Sequence, residues 1–327
     1  MIQNNNLIYI LATLCLKYCD TIKTKRFNLM KKKVLITGNN GFIGTYCTNI
    51  LKNSFEIFGL DVYGEEKENF ILGELDLNNL LKFNQKFDII VHLAGTGSVG
   101  VAQRNPEIEH AKTVLSSKHL LDYIVKYNQN AKLIYISSAA VYGNSKCEFV
   151  KENSKLNPIS IYGQHKVAVE NLIVQYSNNF GLKYNIIRPF SVYGEGLRKQ
   201  VLWDFCNKIK NNFDKKSLIC FGTGKEERDF IHVKDLVLFI NHLINSKENN
   251  DIINVGTGIA TSIGTIFDKL VELMNYSGYL DYDNIENENN PKILVANIDK
   301  MNSLGFKTSI NIDEGLTNYV EWFKKQN

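Results

Sequence analysis

The chain has 327 residues, 44% of them hydrophobic and 22% charged, which is ordinary globular composition with enough apolar material for a large core. Its formal net charge is +4, from 38 basic and 34 acidic residues spread along the chain, so no dense basic block argues for nucleic-acid binding. Six scattered cysteines (Cys15, Cys19, Cys47, Cys147, Cys206, Cys220) lack the His or paired-Cys company of a zinc site and read as reduced thiols of a cytoplasmic protein.

In chain order, Leu7 to Leu16 is an apolar run too short for the ~18 residues that span a bilayer. The MIQNNN before it lacks the basic stretch of a secretory signal. Met30 is followed by KKKVLITG, a natural start for a first strand, so residues 1–30 read as a flexible tail or an upstream start. From Lys33 onward strand-like and helix-like patterns alternate. VLITG (Val34 to Gly38) precedes a helical Phe42 to Lys52, and FEIFGLD (Phe55 to Asp61) is a second apolar run. DIIVHLAG (Asp88 to Gly95) and LIYISS (Leu133 to Ser138) flank a helical stretch from Glu107 to Tyr127. A helix over Ile161 to Phe180 and a strand in YNIIRPF (Tyr184 to Phe190) follow. Fully apolar strands alternating with helices predict a doubly wound parallel α/β sheet over residues 31–188, with ligands beyond the carboxyl ends of the strands. After Pro189 the alternation loosens into Gly-rich turns, GTGKEERDFIHV (Gly222 to Val233) and NVGTG (Asn254 to Gly258), which reads as a smaller C-terminal α/β substrate domain over 189–327. Some of its segments are expected to return to the first domain.

TGNNGFIG (Thr37 to Gly44) follows the first strand and opens the first helix. Gly38, Gly41 and Gly44 allow a sharp turn, a close backbone approach to a pyrophosphate and tight helix packing, while the helix amino end faces the phosphates. A glycine triplet is a weak signal alone. Here Asp61 ends the second strand about 20 residues on, where a carboxylate accepts hydrogen bonds from ribose hydroxyls and repels a 2′-phosphate. NAD is therefore favoured over NADP.

Tyr162 and Lys166 lie four apart in a helical segment and share a face. A tyrosine ordinarily titrates near ~10, and moving it about three units down takes roughly 4 kcal/mol, which an ammonium and an oxidised nicotinamide can supply. Such a pair is common on helix surfaces. The signal rises because Ser138 stands just past a buried strand, where its hydroxyl can bond the substrate oxygen that Tyr162 deprotonates. His92 and His232 lie in apolar strand-like segments and read as structural, Trp203 and Trp322 read as packing residues, and no metal site is evident.

Taken together, TGNNGFIG, Asp61, the Asp76–Leu77 pair, HLAG (His92 to Gly95), SSAAVYG, YGQHK (Tyr162 to Lys166), RPFSVYG (Arg188 to Gly194), RDFIHVKD (Arg228 to Asp235) and NVGTG resemble an extended short-chain dehydrogenase/reductase. The resemblance is to the NAD-dependent epimerase/dehydratase family acting on nucleotide sugars and covers the chain from about Lys33. It implies a Rossmann fold, with Tyr162 as catalytic base and acid, Lys166 lowering its pKa and binding the nicotinamide ribose, and Ser138 orienting the substrate. It also implies a pyrophosphate loop of Gly38, Gly41, Phe42, Ile43 and Gly44, a ribose ligand in Asp61, and an adenine neighbour in Asp76 and Leu77. Leu93, Ala94 and Gly95 would supply backbone beside the cofactor, and Arg228 would clamp the diphosphate of a nucleotide-diphosphate sugar, as its planar fork suits. The helices around Thr113 to Tyr127 and Ile161 to Phe180 resemble those of a homodimeric four-helix interface.

Three departures matter. Relatives that dehydrate hexose nucleotides carry Asp–Glu after the catalytic hydroxyl, where this chain has Ala139 and Ala140, which argues against 4,6-dehydration. Thr113 stands where many relatives carry Asn, and Asn287 where an Arg often grips the diphosphate, leaving Arg228 to act with Lys292 or alone. The expected activity is C4 epimerisation through a 4-keto sugar. A net 4-dehydrogenase or 4-keto reductase uses the same residues, and a non-catalytic dinucleotide-binding module is disfavoured by the presence of both Tyr162 and Lys166.

Overall fold

The structure is a computed structural model describing residues 31–97, 99–145, 147–285 and 291–326. The segment read as a tail, residues 1–30, and Asn287 lie outside the described residues.

Seven strands form one parallel sheet: β1 (Lys33–Thr37), β2 (Glu56–Asp61), β3 (Phe70–Leu72), β4 (Ile89–His92), β5 (Lys132–Ile136), β6 (Lys183–Pro189) and β7 (Asp251–Val255). Their spatial order is β3-β2-β1-β4-β5-β6-β7, and every neighbouring pair is parallel. This is the doubly wound α/β sheet that the apolar runs predict. The order reverses between β1 and β4, so the first loops out of these two strands diverge and open a crevice at their carboxyl ends.

Strand alternation divides the core between two faces. On one face Val34, Ile36, Ile134, Ile187 and Ile253 pack against α1 (Phe42–Leu51) and α5 (Val233–Asn245). On the other, Leu35, Phe58, Leu133 and Ile186 pack against α2 (Ser116–Tyr127) and α3 (Ile161–Phe180). A separate core lies among α4 (Gln200–Asn211), α6 (Ile263–Met274) and α7 (Ile312–Lys324), centred on the stacked rings of Phe205 and Phe267, 3.8 Å apart. The segment after Pro189 nevertheless returns to the main sheet, because β7 pairs with β6 from Asp251↔Asn185 to Val255↔Pro189.

Local chemistry explains the element ends. The Ser160 side chain accepts from Gly163 N–H at 3.1 Å and caps α3, which closes at Gly181 in the left-handed region (φ 72). The stretch expected as one helix from Glu107 to Tyr127 is broken: Pro106–His110 is α-helical, Ala111–Leu115 is a π-turn, and α2 begins at Ser116. The hydroxyls of Ser116 and Ser117 donate back to the carbonyls of Lys112 and Thr113, each at 2.5 Å, which favours a wider turn there.

Candidate active site

A cleft of about 2340 Å³ opens at the carboxyl ends of the strands. Its lining joins Gly38, Gly41, Phe42, Ile43 and Gly44 of the first turn, Leu93 and Gly95 after β4, Ser138 after β5, Tyr162 and Lys166 on α3, and Arg228. Residues distant in sequence thus share one cavity. Asp61, Asp76, Leu77 and Ala94 stand outside this lining.

The glycine turn is built for close approach. A Cβ on Gly44 would lie 2.0 Å from the Gly38 carbonyl oxygen, and one on Gly38 (φ 74) 2.9 Å from the Ala94 nitrogen. Gly41 caps α1 with no side-chain hydrogen bond, so the first-turn N–H groups are free to meet an anion. Asp61 at the end of β2 accepts from Asn40 N–H at 2.8 Å and Tyr63 N–H at 3.3 Å. These features fit a dinucleotide: a cradle that any side chain would fill, then a carboxylate at the end of the second strand that is bonded back to the turn. Gly44→Ala must displace backbone and not merely a side chain. It is expected to lower NAD affinity by about 10-fold or more, as overpacking of ~1–3 kcal/mol implies, in a fluorescence titration.

Asp76 is also a helix cap. One carboxylate oxygen accepts from Asn79 N–H at 2.8 Å and caps the short helix Leu77–Lys82. His92 is structural, as its surroundings suggested: its ring nitrogens bond Thr37 Oγ1 at 2.7 Å and Ser117 Oγ at 2.8 Å, and burial pushes its pKa down to about 3.

Ser138 lies in extended backbone, with Oγ accepting from Ala140 N–H at 3.1 Å and also hydrogen-bonded to the Tyr162 hydroxyl. Lys166 donates from Nζ to the Ile136 carbonyl at 2.9 Å and stands 5.7 Å from the Tyr162 ring centroid. Burial pushes Lys166 down to about 8, opposed by the Glu170 carboxylate one turn along the helix. Burial also raises Tyr162, and the Ser138 hydrogen bond offsets only part of that. Burial thus favours the neutral phenol, and a neighbouring positive charge acts in the opposite sense.

Beneath these residues lies a buried polar network that sequence reasoning missed. Glu170 (3% exposed) pairs with Arg188 (2% exposed) through Nε at 3.0 Å and Nη2 at 2.6 Å, and accepts from Ser137 Oγ at 2.5 Å. Arg188 also donates to Tyr142 Oη at 2.8 Å, and that hydroxyl donates to Asn254 Oδ1 at 2.6 Å. The spacing of Glu170 four residues after Lys166 was the available signal. Glu109, fully buried, accepts from Thr96 Oγ1 at 2.9 Å and Thr113 Oγ1 at 2.7 Å and pairs with Nδ1 of His165. No local pattern announces this cluster, because its members come from three separate segments. The Ala139–Ala140 pair presents no acid next to Ser138.

On the opposite wall Arg228 donates to the carbonyls of Glu227 at 2.7 Å and Lys292 at 3.5 Å, and burial lowers its pKa to about 10. Phe221, 81% exposed, also lines the cleft, with Lys208 Nζ 4.7 Å from its ring centroid.

The profile of the NAD dependent epimerase/dehydratase family matches residues 34–256. The chain belongs to that family. It is 30% identical over 309 residues to a putative UDP-glucose 4-epimerase of Methanocaldococcus jannaschii, covering 90% of this chain and 99% of that protein. Among solved structures it resembles a UDP-N-acetylglucosamine 4-epimerase from Methanobrevibacter ruminantium in complex with UDP-N-acetylmuramic acid, at TM-score 0.82 and 26% identity, covering 91% and 99% of the two chains. It also resembles a Bacillus cereus UDP-glucuronic acid 4-epimerase bound to UDP-glucuronic acid and NAD, at TM-score 0.80 and 25% identity, covering 90% and 100%. This family member is an enzyme of the extended short-chain dehydrogenase/reductase type, with the Rossmann sheet that the motifs implied.

Proposed function

We propose that this family member is an NAD-dependent 4-epimerase of nucleotide-diphosphate sugars. The observation that carries the reading is the meeting of Tyr162, Lys166 and Ser138 in one cleft with the glycine turn and Arg228. Residues 31–188 hold the cofactor in this proposal, and residues 189–327 mainly hold the substrate. Gly38, Gly41, Phe42, Ile43 and Gly44 would receive the pyrophosphate of NAD, Asp61 its adenosine ribose, and Lys166 its nicotinamide ribose. Bound there, NAD would accept hydride from the sugar carbon and return it.

The chain's own groups handle the proton. Tyr162 takes it from the C4 hydroxyl, and Ser138 holds the oxygen in line. Lys166 keeps the phenolate stable, since an ammonium beside a phenolate favours the charged form. The same phenol returns the proton when the ketone is reduced on its other face. Arg228 anchors the diphosphate through this half-turn. Ala139 and Ala140 beside Ser138 put no carboxylic acid at the two positions that follow the catalytic hydroxyl.

We also read α2 and α3 as a homodimer surface. They pack on each other, and Leu115 just before α2 and Phe180 at the end of α3 are 45% and 60% exposed. Among the described residues no helix is long and apolar enough to cross a membrane, and the proposal places the enzyme in the cytoplasm.

Incubation with UDP-glucose, UDP-N-acetylglucosamine and UDP-glucuronate, without NAD beyond the bound equivalent, is expected to give the C4 epimer of one of them on chromatography. Turnover that instead consumes NAD in stoichiometric amount would reveal a net 4-dehydrogenase.

A further inference from the structure

Lys166 is only 5% exposed on α3, so its ammonium must be sustained by what surrounds it. Glu170, on the same helix, is the carboxylate that favours the charge, but both its oxygens bond the Arg188 guanidinium of β6, whose charge opposes that field. The Ile136 carbonyl accepts one of the three ammonium protons, at 2.9 Å. Neither group is a full counter-charge.

The other groups that meet the ammonium are aromatic. Nζ lies over the ring of Tyr135, 4.9 Å from its centroid, and 5.7 Å from that of Tyr162. Both distances are inside the ~6 Å at which a ring face attracts a cation, and the attraction is larger where water is excluded. The nearer ring belongs to a residue that the reaction described above does not use. Tyr135 stands on β5, on the face of the sheet that α3 covers, and is 1% exposed. Behind it lies His92 of β4, ring centroids 5.4 Å apart, which burial keeps neutral with a pKa of about 3.

The Tyr135 hydroxyl gives a second observation. Its oxygen is buried and meets no hydrogen-bond partner among the described residues. A buried unpaired hydroxyl costs stability, so the contribution of Tyr135 is its ring. Burial, with Tyr162 and Glu170 nearby, raises its pKa, so it remains a neutral phenol and does not act on Lys166 as an anion.

We propose that Tyr135 is a positioning residue that acts through Lys166: its ring face keeps that side chain an ammonium and holds it beside Tyr162. This rests on the 4-epimerase reading for what Lys166 does in the reaction, and on the packing of β5 against α3 for where it lies.

The test uses the full-length protein loaded with NAD and isotopically labelled at lysine Cε. The Lys166 NMR signal, assigned by its loss in Lys166→Met, is followed against pH in wild type, Tyr135→Phe, Tyr135→Leu and a protein with trifluorophenylalanine in place of Tyr135. Attraction to the ring favours the charged form, so weakening it lowers the midpoint. Tyr135→Phe keeps the ring face and should leave the midpoint within about 0.3 unit, with thermal stability equal or higher because the unpaired hydroxyl is gone. Tyr135→Leu should lower the midpoint by about 0.5–1 unit, and the alkaline limb of kcat should fall with it. Trifluorophenylalanine nearly keeps the shape of Phe but weakens its ring face, so it should fall with Tyr135→Leu. It separates cation attraction from packing and decides the matter if Tyr135→Leu does not fold. A midpoint that the fluorinated ring leaves where Tyr135→Phe has it overturns the proposal. So does a Tyr135→Phe shift as large as that of Tyr135→Leu, which would assign the effect to the hydroxyl. Because the titration needs no sugar, failure of every nucleotide sugar to epimerise would count against the 4-epimerase reading and leave the result at Lys166 standing.

Discussion

Tyr162→Phe is expected to reduce kcat by about 10²–10⁴, the usual contribution of a positioned acid–base group, while NAD titrates with unchanged affinity. The phenol ring remains to fill its place on α3, and only the hydroxyl that Ser138 holds is removed. A variant that retains more than a tenth of wild-type turnover would move the chemistry to another residue. Lys166→Met gives the companion result. The ammonium favours the phenolate, so its removal raises the pH at which Tyr162 ionises. The acid limb of kcat/KM should then move upward by at least about one unit, with activity lost at pH 7 and partly regained at high pH. An acid limb that stays in place would mean that Lys166 only binds the cofactor.

The second large effect is structural. Glu170 and Arg188 are both at most 3% exposed, and each is the other's charge partner. Removing one leaves a buried ion without compensation, which costs about 3–5 kcal/mol. Glu170→Gln and Arg188→Met should each lower stability by that order in urea unfolding, and the double variant should recover part of the loss. Ser137 also donates to Glu170, next to Ser138, and Glu170 raises the pKa of Lys166. Glu170→Gln is therefore expected to lower kcat as well, with the alkaline side of the pH profile moving down as Lys166 loses its proton more easily. A loss under about 1 kcal/mol would show that the pair is solvated and not the strut that the structure describes.

Much of the candidate site was legible because its parts obey local rules. The glycine turn is a run of neighbouring residues, Tyr162 and Lys166 follow the helical repeat, and Ser138 sits at the end of an apolar strand. Asp76 carries a local role beside the one its motif implies: it caps the helix Leu77–Lys82, as Asp at a strand-to-helix junction does.

By itself, the amino-acid sequence determined the parallel α/β class, the helix over Ile161–Phe180 to the residue, and the turn that opens α1, since each is written in hydrophobic period, capping residues and glycine spacing over short stretches. Only the tertiary structure decided that Glu109 would meet His165, that Arg188 would lie beneath Ser137 through Glu170, and that Tyr135 would lie under Lys166. These partners are separated by tens of residues, and no repeat relates them. They are brought together by the strand order, which places the ends of β4, β5 and β6 side by side and lets the later segment fold back over them.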